Sequence, residues 1–316
     1  MKFSKDFKEI KGDASFRKFY RNTKKNSIIV FANKEKTKNL LIYDSINKIL
    51  IKNNIIAPQL LSQNYKKNYI EIQDLGKKTI YQIFSNYKKK QYPIFKKAIN
   101  VLNKIQLVKD KKIKNFKNEF YLIKDYKNKI LLDEANLFSH WYVPKKLDKK
   151  KINIFKTKFN REIKLLLSKL HFKNDTFVHR DFHVSNLIVN SKNQIGLIDN
   201  QDALIGNKAY DLASLIDDVR YETSNSLKEK VYNYYLMTNK KIDADKFKND
   251  YDILSVLRNL KIIGIFMRLA ERDKKRKYLK LIPYAWKMID NRIGKNKDLV
   301  NLKLLLETNF PKFITK

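Results

Sequence analysis

The stretch Val178-His179-Arg180-Asp181-Phe182-His183-Val184-Ser185-Asn186, followed by Ile198-Asp199-Asn200-Gln201-Asp202, decides how this 316-residue chain is read. Between the two lie the apolar runs Leu187-Ile188-Val189 and Ile195-Gly196-Leu197-Ile198, separated by Ser191-Lys192-Asn193-Gln194, the pattern of a β-hairpin. A hairpin turns the chain back, so Asp199 returns beside the loop that holds Asp181 and Asn186. Phosphoryl transfer from ATP is mostly positioning and charge neutralisation: it needs a carboxylate at the attacking hydroxyl and oxygen ligands that hold Mg²⁺ on the phosphates. Asp181, the amide of Asn186 and Asp199 supply those three groups at the spacing required. A loop whose Asp and Asn only satisfy turn backbone has no need of that spacing.

Outward from this hairpin the chain falls into two regions. Phe16-Arg17-Lys18-Phe19-Tyr20-Arg21 and Ser27-Ile28-Ile29-Val30-Phe31 read as paired strands, joined by the polar turn Asn22–Asn26. Lys36–Asn53 carries apolar residues at a helical period, and strand-like runs follow at Leu60–Tyr65 and Asn68–Gln73. From Thr79 on the pattern is helical, including Tyr92–Val108, Phe116–His140, Ile152–Leu170, Lys208–Arg220 and Asp252–Arg272, with residues 176–199 as the one exception. The expectation is an α+β chain: a small antiparallel β lobe at 1–75 and a large, mostly helical lobe at 76–316.

Composition removes several classes. With no cysteine there is no disulfide scaffold, thiolate zinc site, iron–sulfur cluster or cysteine nucleophile. The first twenty residues hold no apolar signal-like core, and no run approaches the ~18 apolar residues of a membrane span, so a cytoplasmic protein is expected. The net charge of +37 suggests nucleic acid, but only 10 of the 69 basic residues are Arg, and the lysines are scattered among the Asn and Ile that AT-rich codons encode. Readers of bases and phosphates favour the planar fork of Arg. A solvated lysine surface is therefore expected, with long-range attraction of anionic ligands such as nucleotides.

These residues carry a family resemblance. The chain resembles the aminoglycoside phosphotransferase/choline kinase superfamily, with its bilobal protein-kinase-like fold, and within it the bacterial anomeric kinases of N-acetylmuramate and N-acetylglucosamine. The resemblance runs through Gly12-Asp13-Ala14-Ser15-Phe16-Arg17, Gln73-Asp74-Leu75-Gly76, Leu137–Tyr142 and His179–His183. It continues through Gln201–Gly206, Tyr210–Leu215, Arg258–Lys261 and Gly264-Ile265-Phe266. It implies ATP and Mg²⁺ as cofactors, Asp181 as the base at the acceptor hydroxyl, and Asn186 and Asp199 as the metal ligands. Gln73 and Leu75 would belong to the hinge that binds adenine, and Gly12, Asp13 and Ser15 to the turn over the phosphates. A monomer acting on a small sugar in cell-wall salvage is the implied setting. Kinases of aminoglycosides, choline or homoserine are the rival reading, followed by a non-catalytic nucleotide- or RNA-binding module.

Two departures from the family pattern stand out. The second strand has no lysine to grip the α/β-phosphates, and Lys36–Asn53 has no Glu to pair with one, only Asp44. Strand alternation puts Arg17, Phe19 and Arg21 on one face, so Arg17 reads either as the phosphate contact or as an exposed strand arginine. Asn200 stands where an aromatic residue is expected. Of the four histidines, His179 reads as a loop-orienting residue and His183 as facing the sugar, since a zinc pair lacks soft neighbours. Glu134, Trp141, Gln201 and Asp202 complete the candidate acceptor contacts, with a core Trp beside a surface Glu as the plainer alternative for the first two.

Overall fold

The computed structural model describes residues 5–10, 17–32, 39–87 and 91–314. Gly12, Asp13 and Ser15 lie outside these residues. In chain order the elements are β1 (Phe7–Ile10), β2 (Arg17–Asn22), β3 (Ser27–Ala32), α1 (Asn39–Lys52), β4 (Leu60–Asn64), β5 (Tyr69–Gln73), α2 (Ile80–Asn86) and α3 (Gln91–Gln106). Next come β6 (Lys112–Lys114), β7 (Phe120–Leu122), α4 (Asn128–Leu137), α5 (Lys149–Ser168), β8 (Thr176–Val178), β9 (Leu187–Val189) and β10 (Ile195–Leu197). The chain finishes with β11 (Leu204–Gly206), α6 (Ala209–Ile216), α7 (Asn225–Thr238), α8 (Ala244–Glu271), α9 (Ile282–Ile293) and α10 (Val300–Asn309).

Contacts divide the chain into two compact units, residues 1–124 with 177–204, and residues 125–176 with 205–316. The first is built on a five-stranded antiparallel sheet of order β1-β2-β3-β5-β4. Val30, Ala32, Ile70 and Ile72 of the sheet pack on Leu40 and Tyr43 of α1, so the helix lies against the sheet through its apolar stripe. The β9–β10 hairpin joins the same unit through three backbone bonds: Leu197 N–H to the Ile56 carbonyl (2.8 Å), Val189 N–H to Lys78 (2.8 Å) and Tyr81 N–H to Val184 (3.0 Å). Its turn is closed by Asn190, whose side-chain oxygen accepts from the N–H groups of Lys192 and Gln194, with Asn193 left-handed at φ 57°.

Two sequence expectations are corrected. Phe116–His140 is not one helix: Lys112–Lys114 and Phe120–Leu122 form an antiparallel hairpin, and helix begins only at Asn128. Asn115 takes the N–H groups of Lys117 and Glu119 on its side-chain oxygen and Asn118 adopts φ 61°, so turn chemistry overrides the four-residue spacing of Phe116 and Phe120. Strand β1 was not expected: its two charged residues, Lys8 and Glu9, are adjacent and exposed, so it shows no strand alternation.

The second unit is helical around α8, a 28-residue helix buried along most of its length. An aromatic cluster of Phe138, Tyr142, Phe155, Phe159, Trp286 and Phe310 fills its centre. Asp217 is enclosed there between Lys228 (2.9 Å) and Arg292 (2.9 Å), whose charges hold its carboxyl far below the usual range against the opposing effect of burial. Among the described residues no helix is long and apolar enough to cross a membrane.

Gly264 is the tightest point of this packing. A Cβ there would lie 2.3 Å from the Leu137 carbonyl carbon and 2.5 Å from its oxygen, which are backbone atoms of the turn that ends α4. Gly264→Ala is expected to lower the urea midpoint by the equivalent of about 1–3 kcal/mol, the cost of overpacking. Gly294→Ala, where a Cβ meets nothing within 4 Å, serves as the near-neutral control. Equal midpoints for the two variants would contradict this packing.

Candidate active site

The motif residues Asp181, Asn186 and Asp199 all fall in the sheet-bearing unit. β8 leads into a loop in which Arg180 takes φ 71°, and β10 leads into a turn in which Asp199 takes φ 64°. Left-handed backbone at two non-glycine residues, one of them Arg, is strained and persists only where the surroundings fix it.

His179 supplies part of that fixing. It is fully buried, and its Nε2 faces two acceptors, the Ile198 carbonyl at 3.2 Å and Asn200 Oδ1 at 2.8 Å. Both can be satisfied only if Nε2 carries the hydrogen, which leaves Nδ1 as an acceptor for the Asp181 backbone N–H at 3.3 Å. One neutral imidazole thus ties the Asp181 loop to the Asp199 turn, the loop-orienting role expected of it. His183, also buried, stands within the same loop: its N–H donates to the Asp181 carbonyl (3.0 Å) and its Nε2 lies 3.4 Å from the Asn186 amide nitrogen.

Asn186 donates its side-chain N–H to the Asp181 carbonyl at 3.1 Å, and its backbone carbonyl accepts from Ile198 N–H at 3.1 Å. With the amide nitrogen so engaged, the amide oxygen is the group left to bind a ligand. Asp199 is reached by charge from several sides. Burial pushes its carboxyl above the usual range, Arg17 pulls it back, and the charges of Asp181 and Asp202 push it up again. The Asp199 carboxylate and the Asn186 amide oxygen form a hard-oxygen donor pair that suits Mg²⁺. Among the described residues no three His, Cys, Asp or Glu side chains gather as a complete metal cage. Two protein ligands fit an ion that keeps waters and binds substrate phosphates for the rest.

Arg17 is neither exposed nor solvated. Its side chain is 5% exposed, its Nη2 bonds Asp199 Oδ1 at 2.7 Å, and its guanidinium lies over Phe19 and Tyr43. Arg21, on the same face of β2, holds the segment after β5: it pairs with Asp74 (2.5 and 3.1 Å) and donates to the Gly76 carbonyl (3.0 Å). In that segment Gln73 N–H goes to the Gln59 carbonyl, Asp74 N–H to Asn26, and Gly76 N–H to the Asp74 carboxylate. The Leu75 side chain lies over Gly196, where an added Cβ would approach it to 2.8 Å.

Asn200 does not loosen the turn as a missing aromatic would. It is fully buried, donates to Asn47 Oδ1 (2.7 Å) and the Leu197 carbonyl (3.2 Å), and accepts from His179. Asn47 and Tyr43 of α1 were missed from sequence as site residues, although their i,i+4 spacing puts them on one helix face. Asp44 points elsewhere, to Lys48 at 2.8 Å, and burial raises its carboxyl above the usual range.

Of the candidate acceptor residues, Gln201 is buried and donates to the Asp202 carboxylate at 2.6 Å, while its amide oxygen meets no partner among the described residues. Asp202 is exposed, and its backbone carbonyl accepts from Arg180. Glu134 and Trp141 belong to the helical unit. Trp141 is half-buried, and Glu134 is no surface acid: it pairs with Lys261 at 2.9 Å and accepts from the Tyr126 hydroxyl.

The model of the phosphotransferase enzyme family matches residues 6–246. The chain belongs to that family. It is 26% identical over 301 residues to the N-acetylmuramate/N-acetylglucosamine kinase of Pseudomonas putida, covering 93% of this chain and 85% of that one. A kinase of the same name from Neisseria meningitidis is 28% identical over 284 residues, covering 86% and 80%. In fold it is similar to a choline/ethanolamine kinase family protein from Mesorhizobium loti, with a TM-score of 0.63 at 11% identity over 96% and 93% of the two chains. An ADP-bound aminoglycoside phosphotransferase gives a TM-score of 0.58 at 14% identity, over 90% and 94%. The chain is accordingly a small-molecule phosphotransferase of protein-kinase-like fold.

If Asn186 and Asp199 hold the metal, their loss should differ in degree. Asp199→Ala removes an anionic ligand and should abolish Mg²⁺-dependent tightening of nucleotide binding, whereas Asn186→Ala removes a neutral one and should only raise the Mg²⁺ needed. Titration calorimetry with a non-hydrolysable nucleotide reads both. Unchanged Mg²⁺ dependence in both variants would remove the assignment.

Proposed function

We propose that this phosphotransferase uses ATP and Mg²⁺ to phosphorylate the anomeric hydroxyl of an N-acetylated amino sugar of the N-acetylmuramate/N-acetylglucosamine type, as a cytoplasmic monomer in cell-wall sugar salvage. The observation that carries this reading is the near full-length likeness to kinases named for those sugars, on a chain whose Asp181, Asn186 and Asp199 fall in one unit.

Residues 1–75 are the proposed nucleotide lobe and 76–316 the catalytic and acceptor lobe. Gln73 and Leu75 would contact adenine, with the Leu75 side chain on Gly196 as the floor, and Gly12, Asp13 and Ser15 would cover the phosphates. Asn186 and Asp199 would hold Mg²⁺, which supplies charge neutralisation on the phosphates when bound. Arg17 is the proposed replacement for the absent lysine, since it is the cation that stands at Asp199. Its fixed fork suits phosphate oxygens as well as carboxylate.

Asp181 would take or orient the acceptor proton. An anomeric hydroxyl is more acidic than other sugar hydroxyls, because the ring oxygen stabilises developing negative charge. A single carboxylate therefore suffices as base without a strongly raised pKa. The loose transition state of phosphoryl transfer asks little more of the protein than position and charge. Gln201 with its buried amide oxygen, Asp202, His183, Glu134 and Trp141 are the proposed acceptor contacts.

The test is regiochemical. N-acetylglucosamine, N-acetylmuramate and a 6-deoxy analogue should be consumed and yield an acid-labile 1-phosphate with no reducing end, while a 1-O-methyl sugar should stay inert. Phosphorylation of the 1-O-methyl sugar would move the reaction to another hydroxyl, and turnover only of amino alcohols or aminoglycosides would favour the rival kinases. Asp181→Asn should keep nucleotide affinity and lose turnover by about 10²–10⁴-fold, the range for removal of a general base. Turnover within a few-fold of the parent would take Asp181 out of the chemistry.

A further inference from the structure

We propose that Asn47 of α1 and Asn200 of the metal-site turn are positioning residues, a pair of buried amides through which α1 fixes the loops carrying Asp181 and Asp199. The inference rests on the proposed reaction for its kinetic arm and on geometry alone for its exchange arm.

The chain of bonds is continuous. Asn200 donates to Asn47 Oδ1 at 2.7 Å and accepts His179 Nε2–H at 2.8 Å, and His179 Nδ1 accepts the Asp181 backbone N–H at 3.3 Å. Tyr43, one turn before Asn47 on α1, carries the Arg17 guanidinium that pairs with Asp199. Asn47 is 3% exposed, Asn200 and His179 are fully buried, and Tyr43 is 2% exposed, so water cannot replace a lost partner at low cost. The Asn200 amide uses both ends, donating to Asn47 and accepting from His179, which a carboxylate could not do. The two loops they hold contain the left-handed residues Arg180 and Asp199, whose strain must be held by bonds around them, those to α1 included. Among the described residues no cation of β3 pairs with an acid of α1, and the neutral Asn47–Asn200 bond links α1 to the Asp199 turn instead.

Leucine shares the branched heavy-atom shape of asparagine, though it is bulkier, and removes its hydrogen bonds, so Asn47→Leu, Asn200→Leu and the double variant test the pair. Each single variant is expected to lower kcat by about tenfold or more, while the Kd of a non-hydrolysable ATP analogue with Mg²⁺ stays within about threefold. The double variant should regain thermal stability, because apolar groups then face each other, yet remain as slow as the slower single variant. Asn47→Asp keeps the acceptor for Asn200 at the same size and should be faster than Asn47→Leu. Hydrogen–deuterium exchange supplies the arm that needs no acceptor substrate: Asn47→Leu should raise exchange at the Asp181 amide and through residues 179–183. Turnover that recovers together with stability in the double variant would reduce the pair to a structural role and overturn the proposal. So would losses in kcat that simply multiply, or unchanged exchange at 179–183 in a folded Asn47→Leu protein. If the parent phosphorylates no N-acetylated amino sugar, the proposed function fails by itself, and the exchange arm still decides this inference.

Discussion

The ion pair between Arg17 and Asp199, 2.7 Å long, is the contact around which the site is organised. A guanidinium whose side chain is 5% exposed cannot be left without an anion, since breaking a buried pair leaves a desolvated charge worth several kcal/mol. The start of β2 and the end of β10 are therefore brought together by a strong electrostatic requirement, although 182 residues separate them in sequence. Arg17 also lies over the faces of Phe19 and Tyr43, which holds the guanidinium against the sheet–helix core. The carboxylate that would bind the metal is thus located by a rigid strand residue. A lysine on β3 would do this with a flexible stem and a point charge; the arginine does it with a planar fork.

Local strain follows from the same arrangement. Asp199 in the left-handed region turns the chain sharply after β10, so that its carboxylate meets Arg17 while Asn200 is carried into the interior. Arg180 makes a comparable reversal after β8, ahead of Asp181. Such conformations cost of order 1–3 kcal/mol each and are retained where hydrogen bonds over-determine them. Here that over-determination is visible as bonds of His179 and Asn186 within the Asp181 loop and from these residues to Asn200 and Ile198 of the Asp199 turn. The strain sits at Arg180, beside Asp181, and at Asp199, and the ordinary hairpin between them carries none beyond its turn at Asn193.

How much of this was legible in the sequence depends on the range of the signal. The β9–β10 hairpin, the β2–β3 pair, α1 and the strands around residues 60–73 could be read because period and turn chemistry are local. The gathering of Asp181, Asn186 and Asp199 in one unit could be read because their spacing straddles one hairpin. Asn115 and Asn118 defeated the helical reading of 116–127: their effect lies in side-chain bonds to backbone, which a hydrophobic period does not record. Asn200 was visible only as a departure from the family pattern. Its partner Asn47 lies 153 residues away, and no pattern within either segment announces a hydrogen bond between two buried amides. Arg17 was left between two readings because strand alternation gives a face but not what that face meets.

Charge needs reading at two scales. At long range a chain of +37 draws anions toward it and would do so for nucleotides, nucleic acids or any acidic surface alike. At the site the sign reverses: the charges of Asp181 and Asp202 raise the cost of ionising Asp199, with Arg17 as the compensating cation paired to it. A polyanion drawn in by the lysines would meet carboxylates there and be repelled, unless it arrived with a divalent cation that the carboxylates can share. A basic exterior combined with acids at the site would favour metal-complexed phosphates over bare anions. It also explains why the composition, read without the position of its few acids, points toward nucleic acid when the chemistry does not.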